Sequence, residues 1–130
     1  MRSTSIILVD CLFGVLLVAT QVGALQAWRP LQEMRQHMSN AREQEQGCRG
    51  LTTLAGANAQ HRIKIKEAGG IDDILDAMRQ HRSHAGVQEQ CCTALRNLAL
   101  KNNDNKINIT EAGGIAIIQE AMRQHLSNAR

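Results

Sequence analysis

"VQEQCCTALRNLALKNNDNKINITEAGGIAIIQEAM", residues Val87–Met122, contains an apolar stripe at helical spacing, an asparagine-rich break, a short run ending in two glycines, and a further run that begins at once. Val87, Cys91, Ala94, Leu95, Leu98 and Ala99 fall at i, i+4, i+7, i+8, i+11 and i+12, one face of a helix, with Gln90, Thr93, Arg96 and Asn97 on the polar side. This predicts a long helix over Val87–Leu100. Asp104–Ala112 is predicted as a short helix carrying Ile107 and Ile109. It stops at Gly113-Gly114, because a glycine just past a helix adopts the left-handed cap conformation and a second one permits an immediate turn. The next helix is predicted over Ile115–His125.

The same pattern stands 44 residues earlier. Aligning residues 45–86 with 89–130 gives 22 identities in 42 positions, including Cys48 with Cys92, Leu51 with Leu95, Asn58 with Asn102 and the whole of "EAGGI". "MRQH" recurs at Met34–His37, Met78–His81 and Met122–His125 at that interval. The earlier short helix is predicted over Gln60–Ala68 and its successor over Ile71–His81, where Ile71, Ile74, Leu75 and Met78 share a face. Asp72 and Asp73 in the first turn, with Arg79, His81 and Arg82 in the last, complement the helix dipole. The earlier copy of the long helix reads as weaker, because Glu43, Gly47 and Gly50 stand where Val87, Cys91 and Ala94 do.

Composition agrees with helices. The chain has 130 residues, 43% of them hydrophobic, enough for one modest domain and too few for two independent cores. Its only proline is Pro30, its only aromatics are Trp28 and Phe13, and Ala, Leu, Ile and Met dominate the apolar set. The net charge of +3 is spread singly along the chain. Nucleic acid is not expected as a partner, since that needs a clustered basic footprint or stacking aromatics. The fold class is therefore all-α.

These residues resemble the armadillo repeat family, from about Met34 onward: a long helix with "VQE…ALRNLA", an Asn-rich connection, a short helix ending in "EAGGI", and a second helix, at a period in the forties. HEAT repeats have two helices per unit and generally lack the "AGGI" junction. The resemblance implies a right-handed α-solenoid of three-helix units, and binding rather than chemistry. In armadillo proteins the third helices line a concave groove, where the Asn of "LxNLA" holds the backbone of an extended peptide. Here that position is Asn97 in one unit and Thr53 in the other. The family's groove then maps onto Asn97, Thr93, Gln90 and Arg96 on one helix and Thr53, Arg49 and Gln46 on the other. The tryptophan that importin-like members carry four residues before the Asn is replaced by Thr93 and Arg49. Arg49 repels basic peptides, so an acidic or neutral peptide is the expected partner.

Residues 1–30 match the unit poorly. An apolar run from Ile6 to Ala19 after Arg2, followed by Val22-x-Ala24, suits a signal peptide or an anchor, although Asp10 interrupts it; a misassigned start is the other reading. The repeat domain is placed at 31–130. A cytoplasmic or nuclear location follows from the armadillo resemblance, and the secretory pathway or a membrane from a working signal or anchor; Asn108-Ile109-Thr110 is a sequon only in that second case.

Catalysis is not expected, and neither is a cofactor. Cys48, Cys91 and Cys92 read as buried free thiols, with no Cys/His ligand spacing. His37, His81 and His125 read as copies of one repeat position, and His81 with His84 as a surface turn. "EAGG" lacks the further glycines and Lys-Ser/Thr of a phosphate loop. Finally, "SNAR" at Ser127–Arg130 matches Ser39–Arg42, the start of a third helix, so the last unit reads as truncated. Ile115, Ile118, Met122 and Leu126 are then expected to leave apolar surface open, so that the chain self-associates end to end or is a fragment of a longer armadillo protein, marginally stable alone.

Overall fold

A computed structural model describes residues 29–126. Those residues are helical, with no strand among them: α1 over residues 29–36, α2 Ala41–Ala57, α3 Ala59–Glu67, α4 Gly70–Gln80, α5 Ala85–Ala99, α6 Asn103–Glu111 and α7 Gly114–Leu126. The starts of α5, α6 and α7 lie 44 residues after those of α2, α3 and α4. The signal-like segment, apart from Arg29 and Pro30 in α1, and the terminal "SNAR" lie outside the described residues. Among the described residues no helix is long and apolar enough to cross a membrane.

Polar side chains start the helices. Asn40 accepts from the backbone N–H of Arg42 and Glu43, Asn58 from His61, His84 from Val87 and Asn102 from Asn105. At the two "AGG" junctions Gly69 and Gly113 adopt left-handed φ values of 80° and 84°. Gly70 and Gly114 begin the next helices pressed against the preceding ones: a Cβ there would lie 2.8 Å from the Ile65 carbonyl oxygen and 2.7 Å from that of Ile109. The glycine pair thus supplies one unusual φ and one close approach.

The core is continuous from Leu31 and Met34 through Leu51, Ile65, Ile74, Leu75 and Met78 to Leu95, Leu98 and Ile109. The earlier long helix, whose apolar stripe is interrupted in the sequence, nevertheless runs for 17 residues as α2. Its glycines admit α1: a Cβ on Gly47 would collide with the Met34 side chain, and one on Gly50 would come within 2.9 Å of the Pro30 ring. Propensity lost at those glycines is offset by a closer packed neighbour.

Two buried glutamines fasten successive elements. Gln44 Nε2 donates to the carbonyls of Met34 (2.8 Å) and His37 (2.7 Å), and Gln88 Nε2 donates to those of Met78 (3.0 Å) and His81 (2.9 Å). "MRQH" acquires a structural meaning here. Met34 and Met78 enter the core, Arg35 and Arg79 reach forward to the carbonyls of Ala68 and Ala112, and the rings of His81 and His125 meet the earlier carbonyls of Met38 and Arg82. The middle copy thus ties α4 to its neighbours on both sides, while the first copy reaches forward through Arg35 and the last reaches back through His125.

The cysteines require a correction. Cys48 and Cys91 are joined by a disulfide between α2 and α5, with Cα atoms 5.1 Å apart, and only Cys92 of the described cysteines is free. Cys48 corresponds to Cys92 in the repeat, but helices packed side by side bring each residue to its neighbour's adjoining position rather than to its own equivalent. The contact is therefore with Cys91.

Candidate functional site

α2 and α5 pack against each other and present the residues assigned to the groove. Gln46, Arg49 and Thr53 stand at i, i+3 and i+7 on α2 and are exposed. Gln90, Thr93 and Asn97 repeat that spacing on α5 and are half-buried, with Arg96 exposed beside them. The two helices are linked: Asn97 Nδ2 donates to the Thr52 carbonyl at 3.0 Å, and the Thr52 hydroxyl, which donates to the Cys48 carbonyl at 2.8 Å, lies 3.4 Å from the Gln90 carbonyl.

This geometry modifies the role expected of Asn97. One of its two amide hydrogens is committed to α2, so the side chain joins the helices as well as edging the strip between them. Gly56 leaves room for it, since a Cβ at that position would lie 3.3 Å from Asn97 Nδ2. Thr93 donates its hydroxyl hydrogen to the Glu89 carbonyl (2.8 Å) and Thr53 donates to that of Arg49 (3.2 Å), which leaves both oxygens free to accept. Arg49 makes a loose ion pair with Glu45 at 3.4 Å, its side chain 62% exposed. Such a pair exchanges readily with an incoming carboxylate. The strip combines two exposed guanidinium groups, two glutamine amides and hydroxyl acceptors.

Other chemistry is structural. The His84 ring caps α5 at Val87 N (3.2 Å), which gives the "HRSH" turn a role its sequence did not disclose. Arg62 is buried and donates to the carbonyls of Ala55 (2.7 Å) and Leu100 (3.0 Å), joining the ends of α2 and α5. Asn105 is fully buried and donates to the carbonyls of Arg62 and Leu98. Sequence reasoning missed Gln44, Gln88, Arg62 and Asn105; the one legible signal was Gln44 with Gln88, identical at the repeat interval yet set among polar neighbours. Burial raises the pKa of the Cys92 thiol. Among the described residues no group of three His, Cys, Asp or Glu side chains is placed to hold a metal ion.

At the other end of the sequence prediction, Ile115 is 52% and Met122 54% exposed, while Ile118 is partly buried against the core. Compared with protein-family models, curated proteins and solved structures, the chain matches none of them.

Proposed function

We propose that this chain is a non-enzymatic protein-interaction scaffold of the armadillo type, a right-handed α-solenoid that holds an extended peptide segment along its third helices, α2 and α5. The observation that carries the reading is the pair of parallel rows, Gln46, Arg49 and Thr53 beside Gln90, Thr93 and Asn97, with Arg96 at the edge. Amides and hydroxyl oxygens satisfy peptide backbone groups, and Arg49 and Arg96 favour acidic or neutral side chains over basic ones. No cofactor enters this function. Capture of partners by the tagged chain, identified by mass spectrometry and repeated with Arg49→Glu and Asn97→Ala, tests it: unchanged capture by both variants removes the assignment.

The second reading, a structural oligomerisation or membrane-tethered adaptor fragment of a longer armadillo protein, draws on the exposed Ile115 of α7. For location, the Cys48–Cys91 bond belongs to oxidising surroundings, which favours the secretory alternative over the cytoplasm or nucleus. Thiol trapping of the chain in its native compartment, followed by peptide mass mapping, separates the two.

A further inference from the structure

Between α5 and α7 lies an apolar cavity of about 320 Å³, walled by Ala85, Gln88, Glu89 and Cys92 on α5 and by Ala121, Met122 and His125 on α7. Each of these residues has an identical counterpart 44 positions earlier: Ala41, Gln44, Glu45 and Cys48 on α2, and Ala77, Met78 and His81 on or at the end of α4. The earlier surface is covered, and α5 covers it. Cys48 is bonded to Cys91, and Gly86 lies so close to Glu45 that a Cβ there would be 2.6 Å from the carboxylate. Gln88 caps the carbonyls of Met78 and His81 from the same helix. Beneath it Met78 is 1% exposed, whereas its copy Met122 is 54% exposed. Cys48 is fully buried, whereas its copy Cys92 is half-buried.

We propose that this cavity is a socket for one more helix of α5's kind, brought by a partner protein as an amphipathic helix with the pattern glycine, aliphatic, glutamine, two variable residues, cysteine, as in Gly86, Val87, Gln88 and Cys91. The glycine seats beside Glu89, the glutamine donates to the carbonyls of Met122 and His125, and the cysteine faces Cys92. A second copy of this chain does not fit. Its α2 carries Arg42, Glu43 and Gly47 where the pattern has Gly86, Val87 and Cys91, and the side of α2 that α7 must cover is already filled by Met34 and Pro30. Its α5 is enclosed in its own core. The socket is separate from the α2–α5 peptide strip and stands or falls independently of it.

A trapping experiment on the full chain tests this. The probe is a synthetic peptide of residues 82–101 carrying Cys92→Ser, its remaining cysteine activated as a mixed disulfide with thionitrobenzoate. At mildly alkaline pH the Cys92 thiolate of the protein attacks the peptide sulfur, a new S–S bond forms, and thionitrobenzoate leaves with the electron pair and is read by absorbance. Docking raises the local concentration, so release is expected about tenfold or more faster than with a scrambled peptide. The conjugate maps to Cys92, and Met122→Glu in the protein or Gly86→Trp in the peptide, the latter leaving the protein's fold untouched, returns the rate to the scrambled value. Arg49→Glu leaves it unchanged. Equal rates for patterned and scrambled peptides, indifference to Gly86→Trp, or Cys92-linked dimers of the chain outcompeting the peptide would overturn the proposal.

Discussion

Gln88 shows how much one side chain holds. Its amide serves two carbonyls at the end of α4 from within α5, and it is 4% exposed, so removing the amide takes a buried bond from the Met78 carbonyl, whereas the His81 carbonyl still accepts from His84 N–H. Gln88→Leu is expected to lower unfolding free energy in urea by about 1–3 kcal/mol. An unchanged midpoint would mean that the contact contributes nothing. Cys92 makes a second expectation at this scale. Because burial raises its thiol pKa, less thiolate is present at any given pH than for an ordinary cysteine, so alkylation by iodoacetamide should be slow near neutrality and gain its rate at higher pH. Labelling with the pH profile of a free thiol in solution contradicts that environment. Neither residue announced itself in the sequence: Gln88 sits among Glu89 and Gln90 like any member of a solvated face, and Cys92 adjoins a cysteine with a different fate.

The helices themselves were largely legible, because their signals are local. The stripe from Val87 to Ala99, the capping asparagines and the paired glycines each act within a few residues. What depends on two distant elements was not legible: the Cys48–Cys91 register, the reach of Arg35 and Arg79 to the ends of α3 and α6, and the tolerance of α2 for Gly47 and Gly50. The groove residues were placed on adjoining helices by the family resemblance, but nothing in the sequence shows that Asn97 spends a hydrogen on Thr52. Packing between α2 and α5 leads to two expectations. Leu98 is fully buried, so Leu98→Ala should cost about 2–5 kcal/mol in thermal or chemical unfolding, and a negligible shift rules the packing out. Reducing the disulfide that joins these helices should cost about 2–4 kcal/mol, read as a lower melting temperature with reductant and abolished in Cys48→Ser/Cys91→Ser. Equal melts with and without reductant in the parent chain would show that the bond does not constrain it.

For the molecule as a whole, repetition links packing to the proposed binding strip. The packing that buries the apolar sides of α2 and α5 also sets their polar sides next to each other, so a duplicated sequence yields a duplicated row of side chains. In the proposed function, charge would set the strip's selectivity through the exposed guanidinium groups of Arg49 and Arg96. The most direct measurement is retention of the intact chain on an immobilised array of extended peptides graded from acidic to basic, repeated with Arg49→Glu/Arg96→Glu after circular dichroism has verified its fold. The proposed binding face predicts that the parent retains acidic and neutral peptides and that the doubly substituted chain shifts toward basic ones; a peptide preference that is the same before and after the charge reversal would contradict it.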